Sequence, residues 1–301
     1  MVQILNMHLL IRPLTRLLVT LLLMICAGCK RESVSPGLEL QAEDYKSARS
    51  HFQTRLVRHG AAPQPWTPLH TPADADEVLY SKDPPLKAWV SKVKNKPAAK
   101  NPAVLFLHCG FAADIDDWEM PKPYREAGYT VMMPMLRGEN GQPGDYSLFY
   151  DEVSDVLKAA EFLATRPEVD ASHIYVAGHS IGGTLTLLAA MTSDRFCEAA
   201  SFSGSADQIA WSSSQPGLIP FDRSNVREFQ MRSPIAFATS FKCPVRIYYG
   251  SGERSFSRGS QQLASLARQA HLDVMAISVP GDHFSAVPRE IQQSIEFFRG
   301  R

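Results

Sequence analysis

Ile174-Tyr175-Val176-Ala177-Gly178-His179-Ser180-Ile181-Gly182-Gly183-Thr184 is the stretch whose reading decides the fold. Four apolar residues in a row suit a strand buried on both faces, and residues 184–190 continue as an apolar, helix-like run. Between the two the chain must turn sharply. A serine raised on such a strand-to-helix bend has a strained backbone, and neighbouring chain passes close on either side of it. The residues two before and two after it must therefore be very small, and here both are glycine, Gly178 and Gly182. The pattern predicts a nucleophile elbow with Ser180 at its tip.

The same alternation extends outward. Beyond Lys100, residues 104–107, 130–133, 174–177, Ala199–Phe202, 245–249 and 274–279 read as strands, with helices expected over 148–165, 261–270 and 289–298. In the first of these helices Val153, Val156, Leu157, Ala160 and Leu163 form an apolar stripe, and Asp151, Glu152, Asp155, Lys158 and Glu161 are expected on the wet face. Residues 77–80 and 86–90 alternate as strands around Ser81-Lys82-Asp83-Pro84-Pro85 and read as an antiparallel pair that opens the sheet. The expected architecture is α/β, a mostly parallel sheet of about eight strands with helices on both faces. Upstream, Tyr45, Ala48, Phe52, Leu56 and Val57 recur at helical spacing over 42–59, and a Pro-rich loop follows. Residues 207–241 lack a clear period and are expected to form a small cap over the site. No repeat of propeller-blade length precedes residue 100.

With 301 residues, 45% of them hydrophobic, the chain can bury a full core. Its formal charge is zero and no Lys/Arg cluster stands out, so nucleic acid is not an expected partner. The first residues read separately. His8, Arg12 and Arg16 precede an apolar run over 17–25 that ends in Cys26-Ala27-Gly28-Cys29. That is a secretory signal rather than a fold element, and its apolar run falls short of the roughly 18 residues a membrane span needs. Ala27-Gly28-Cys29 resembles the lipobox of bacterial lipoproteins, with Cys26 where leucine is usual. The resemblance implies cleavage before Cys29, its acylation, and a mature protein anchored to a membrane of the cell envelope. The division expected is therefore a signal over 1–28, a tether over 29–41, an N-terminal helix and Pro-rich loop over 42–74, and a catalytic domain over 75–301. Cys109, Cys197 and Cys243 remain; each lies beside apolar residues, and free thiols are the default reading.

A serine hydroxyl is a poor nucleophile at neutral pH and needs a base, with a further group to orient that base. Tyr249-Gly250-Ser251-Gly252-Glu253 places a carboxylate past the end of one expected strand, and Pro280-Gly281-Asp282-His283-Phe284 a histidine past the next. Loops at the carboxyl ends of parallel strands converge on one edge of the sheet. Glu253 is the favoured acid, and Asp207, after the Ala199–Phe202 strand, is its rival. Asp282 adjoins His283 but is expected to point away. Leu107-His108-Cys109-Gly110-Phe111 follows the first long strand, where Gly110 N–H and Ile181 N–H form the natural pair of oxyanion donors. His108 and His179 read as structural or packing residues, and Cys109 stays an alternative nucleophile.

The order serine, acid, histidine is that of α/β-hydrolases. Gly178-His179-Ser180-Ile181-Gly182-Gly183, His108-Cys109-Gly110-Phe111, Pro134-Met135-Leu136-Arg137-Gly138-Glu139-Asn140-Gly141 and Gly281-Asp282-His283-Phe284 together resemble the catalytic domain of the prolyl oligopeptidase family and its dienelactone-hydrolase-like relatives, over roughly residues 75–299. The resemblance implies a serine hydrolase acting on a small ester, amide or peptide through an acyl-enzyme. Ser180, Glu253 and His283 would be its catalytic residues. A carboxylesterase would use the same residues, and a non-catalytic surface binding protein on the same scaffold is the third reading. No cofactor is expected: there is no H-E-x-x-H pattern and no cysteine pair at zinc spacing.

Overall fold

The computed structural model describes residues 34–92 and 100–300, so the signal and Cys29 lie outside the described residues. The chain divides into two units, Met1–Val34 and Ser35–Arg301, and the second carries the fold. Its eight-stranded sheet runs in the order β1-β2-β4-β3-β5-β6-β7-β8. The strands are β1 (Ala75–Lys82), β2 (Pro85–Ser91), β3 (Asn101–Leu107), β4 (Thr130–Pro134), β5 (Val169–His179), β6 (Ala199–Phe202), β7 (Val245–Gly250) and β8 (Val274–Val279). β2 pairs antiparallel with both β1 and β4, and every later pairing is parallel. The α/β sheet expected from the alternation is therefore present.

The middle of the sheet reads as apolar runs because both of its faces are covered. Ala103 to Leu107 and Ile174 to Ala177 are buried throughout. Helix α5 (Ile181–Thr192) is buried on every side, as its almost uniformly apolar sequence requires. After the short α2 (Ile115–Glu119) and α3 (Lys122–Glu126), helix α4 (Asp151–Ala164) buries Val153, Val156, Ala160 and Leu163 as expected, but two carboxylates assigned to its wet face are also buried. Asp155 takes a forked pair of hydrogen bonds from Arg137, at 2.8 and 2.7 Å, and Glu152 accepts from the amide and hydroxyl of Ser147, both at 2.6 Å. Each carboxylate is satisfied, which is the condition for burying it.

Two upstream expectations need correction. The tether expected over 29–41 is packed from Ser35 onward: Ser35 N–H donates to Asp207, Leu38 is buried, and Gln41 N–H donates to the Ala236 carbonyl. The helix expected over 42–59 is only α1 (Tyr45–His51), opened by the Asp44 side chain as its cap. Beyond it Thr54 Oγ1 and Arg55 N–H bind the buried Glu228 carboxylate, and Leu56 bridges to Phe221. These long-range bonds hold the chain extended and outweigh its helical spacing.

Residues 207–241 do form a cap of short pieces: α6 (Gln208–Ser212), α7 (Val226–Gln230) and single 3-10 turns at Pro216–Leu218 and Pro234–Phe237. Arg232 staples it to the body. Its guanidinium is fully buried, donates to Glu228 at 2.6 Å and to the Ser147 carbonyl at 2.9 and 3.0 Å, and lies 4.0 Å from the centre of the Phe221 ring. The last two helices are α8 (Arg254–Gln269), two turns longer at its start than the apolar pattern suggests, and α9 (Val287–Arg299).

Candidate active site

β5 ends at His179 and α5 begins at Ile181, so Ser180 alone makes the turn, at φ 57° and ψ −109°. A non-glycine residue there costs on the order of 1–3 kcal/mol, and such strain persists only where the surroundings over-determine it. They do so here. A Cβ on Gly178 would stand 2.5 Å from the Gly182 carbonyl oxygen, and one on Gly182 only 2.1 Å from that of Leu107. Both glycines are thus required by backbone against backbone. Gly182→Ala is expected to push α5 off β3, to destabilise the fold by about 3 kcal/mol, and to abolish activity. Thermal melting with a turnover assay checks this, and a variant that stays active contradicts the reading of the elbow.

Glu253 closes the loop after β7, and three groups support its carboxylate. Oε1 lies 2.6 Å from His283 Nδ1, while Oε2 accepts from Ser203 Oγ at 2.6 Å and from Gly250 N–H at 2.7 Å. Burial alone would raise its pKa, but the bonds from His283, Ser203 and Gly250 outweigh that and hold it below the usual carboxylate range. Ser203 is itself strained, at φ 49°, and fully buried. The rival Asp207 is elsewhere engaged: it caps α6 through Ala210 N–H at 2.8 Å. Asp282 turns away from the imidazole and accepts from the amides of Phe284 and Ser285 and the Ser285 hydroxyl. Ser180, Glu253 and His283 line one open cleft of about 930 Å³, with Gly110, Ile181, Phe111 and the cap residues Trp211 and Leu218.

The turn after β3 is held at almost every residue. His108 Nε2 lies 3.0 Å from Glu139 Oε2, with both side chains buried. Cys109 N–H donates to Asp117, Phe111 N–H to Gln64, and Ala113 N–H to Asn140, whose own amide donates back to the Ala113 carbonyl. Gly110, at φ 74°, is spaced between these anchored amides. Ile181 stands at the first position of α5, where a helix has no internal acceptor for the N–H. The Cys109 thiol lies beside Ser180 and Gly110, and burial above all raises its pKa to about 11, so it is a neutral S–H rather than a thiolate nucleophile. Cys109, Cys197 and Cys243 are all free and only half-buried.

His108 reads as structural, and its partner gives that role a measurable sign. Burial opposes its charge, but the Glu139 carboxylate, by attraction and hydrogen bond, raises its pKa to about 9. A raised histidine pKa adds stability that is complete below the ordinary value of about 6.5 and is lost as pH rises through the folded value. Unfolding free energy is therefore expected to fall between pH 6.5 and 9, by on the order of 1–3 kcal/mol, and His108→Gln to remove that slope. Urea melts across this range check it; an unchanged slope in the variant contradicts it.

Several contributors carry no sequence signal. Ser203 and Gln64 act through partners 50 and 47 residues away in the chain. Pro63, Gln64 and Pro65 line the cleft from what the sequence shows only as a Pro-rich loop, and Phe256 stacks on His283 with ring centres 5.3 Å apart. The period-free composition of 207–241 was the one available hint that Trp211 and Leu218 reach the cleft.

Solved structures share this fold. The Mycobacterium tuberculosis puromycin-hydrolyzing peptidase superposes with a TM-score of 0.65 at 20% identity, over 79% of this chain and 40% of that one. Est1E from Butyrivibrio proteoclasticus gives 0.59 at 19% identity, over 75% of this chain and 98% of Est1E. At these identities the likeness shows the fold. In sequence, the uncharacterized peptidase YtmA of Bacillus subtilis (strain 168) is 23% identical over 169 residues, which cover 50% of this chain and 63% of YtmA, less than two thirds of that relative. Residues 117–290 match Peptidase_S9, the prolyl oligopeptidase family. That match runs over more than half of the sequence and takes in the elbow, the acid and the histidine, so the chain belongs to the prolyl oligopeptidase family.

Proposed function

We propose that this protein is a serine hydrolase that cleaves ester or peptide bonds through an acyl-enzyme. The observation that carries the reading is the 2.6 Å pair between Glu253 and His283 opening on the cleft that Ser180 also lines, with Ser180 held at positive φ. In the reaction His283 Nε2 takes the hydroxyl proton as Ser180 Oγ attacks the carbonyl carbon, and Glu253 stabilises the imidazolium. Gly110 N–H and Ile181 N–H receive the oxyanion of the tetrahedral intermediate, a contribution of about 3 kcal/mol per donor. Its collapse passes the proton from His283 to the leaving group and leaves the acyl group on Ser180. Water, deprotonated in turn by His283, then releases the acid.

Peptide or amide substrates are supported by family membership and by the peptidase YtmA. The esterase reading has its own support, because the matched region covers 98% of a putative dienelactone hydrolase from Klebsiella pneumoniae subsp. pneumoniae MGH 78578. Phe111, Trp211 and Leu218 give either substrate an apolar wall. Turnover of nitrophenyl esters against peptide anilides is the test. Cleavage of both by the wild type, each lost in Ser180→Ala, is the expected result; ester turnover alone would assign the protein to the esterases, and turnover of neither would overturn the proposal.

We also propose that the mature chain starts at an acylated Cys29 and is held on a membrane of the cell envelope. The support is the order of Arg12 and Arg16, the apolar run, and Ala27-Gly28-Cys29. Labelling with a radioactive fatty acid should mark the wild type and not Cys29→Ala; an unlabelled wild type overturns the anchor.

A further inference from the structure

His179, the residue before the nucleophile, has no part in the scheme above, yet it is fully buried and its ring centre lies 4.6 Å from that of His283. Its Nε2 stands 2.7 Å from the main-chain carbonyl oxygen of His283. A carbonyl can only accept, so the proton of this bond is on Nε2. Burial first, and then the nearby His283, lower the pKa of His179 to about 4, which keeps the ring neutral and leaves a lone pair on Nδ1. That Nδ1 is buried and has no hydrogen-bond partner among the described residues. An unpaired buried acceptor is a cost that a phenylalanine of similar shape would avoid. What histidine has and phenylalanine lacks is the Nε2–H donor.

Local bonds close the segment it grips, with Asp282 accepting from the amides of Phe284 and Ser285, and Gly252 N–H donates to the Gly281 carbonyl, but none of these joins it to the elbow. The His283 loop enters through Gly281, at φ 138°, and both His283 and the exposed Phe284 lie in a turn outside any strand or helix. Glu253 fixes the imidazole at Nδ1 and Phe256 covers one of its faces, but both act on the side chain. The bond from His179 acts on the main chain.

We propose that His179 is a positioning residue: by donating from Nε2 to the His283 carbonyl it ties the loop of the base to the elbow that presents Ser180, so that nucleophile and base move as one unit. The inference rests on His283 being the base of the reaction proposed above. It also accounts for a polar residue at the buried end of β5, where an apolar one would pack at lower cost.

Two substitutions separate donation from space-filling, because they divide the two properties. His179→Phe keeps the ring and cannot donate. His179→Gln gives up the ring but carries an amide N–H at the reach of Nε2. In the full chain, His179→Phe is expected to lower kcat on the order of 10²-fold, the cost of misplacing a reacting group by about 1 Å, with KM little changed. His179→Gln is expected to retain most of the activity. The downfield proton resonance of the His283–Glu253 bond should broaden in the Phe variant and persist in the Gln variant. Circular dichroism confirms that each folds, and His179→Met replaces the Phe variant in the comparison if that one does not. The reverse order of activities, or equal activities in the two variants, overturns the proposal. A wild type that turns over substrate while His179→Phe matches it removes this inference alone; a wild type inert to both substrate and fluorophosphonate removes the hydrolase reading and this inference with it.

Discussion

Replacing Ser180 by alanine is expected to lower kcat by on the order of a millionfold, leaving only the rate that binding and the oxyanion donors supply without a nucleophile. The size of the effect follows from the scheme: no acyl-enzyme forms, and His283 and Glu253 lose the only hydroxyl they are set to activate. The fold should survive, because what holds the elbow is backbone contact among Gly178, Gly182 and Leu107 rather than the serine side chain. Steady-state kinetics with a thermal melt check both halves. A folded Ser180→Ala with a tenth of wild-type activity would transfer the role to another residue.

Glu253→Gln is expected to lower kcat on the order of 10⁴-fold, the loss that follows when the orienting group of such a triad selects the wrong tautomer. The reason is local. Gly250 N–H can only donate, so the oxygen of the new amide must face Gly250 and Ser203, the side on which Oε2 now accepts both. The amide NH₂ is then turned toward His283 Nδ1, which must accept instead of donate. That places the proton on Nε2, where it cannot take one from Ser180. Asp207→Asn should leave turnover within about twofold and cost less than about 1 kcal/mol, since asparagine also caps a helix. Kinetics of the two variants side by side decide the matter, and a large loss in Asp207→Asn with little in Glu253→Gln would reverse the assignment.

The parts of this site that the sequence makes legible are those fixed by sterics over a few residues. The elbow is legible because Gly178 and Gly182 meet backbone, and only glycine fits there. The central strands are legible because burial on both faces removes polar residues from 104–107 and 174–177. Glu253 and Asp207 could not be separated in the same way, since each follows a strand of the sheet. The choice is made by tertiary structure, which spends Asp207 on the start of α6 and brings Ser203 and Gly250 onto Glu253. Residues 52–59 depart from the helix their spacing predicts for the same kind of reason: Glu228 and Phe221, far along the chain, hold the backbone extended. Glu152 and Asp155 look like surface carboxylates until Ser147 and Arg137 are placed beside them. Polar partners separated by tens of residues leave no period in a sequence.

His283 is itself an intermediate case. Its position after β8 is legible from the order of strands, while the three groups that hold it come from two places: Glu253 and Phe256 from the start of α8, and His179 from the end of β5. Convergence at the carboxyl edge of a parallel sheet makes such a meeting possible, and the side-chain distances show that it occurs.

The most direct measurement is covalent labelling by a fluorophosphonate probe, followed by peptide mapping of the adduct. An activated serine reacts and an ordinary one does not. A single adduct on Ser180, absent from Ser180→Ala and slowed in Glu253→Gln, is the predicted result. A folded protein that takes up no probe, or takes it up at a residue other than Ser180, would contradict the account.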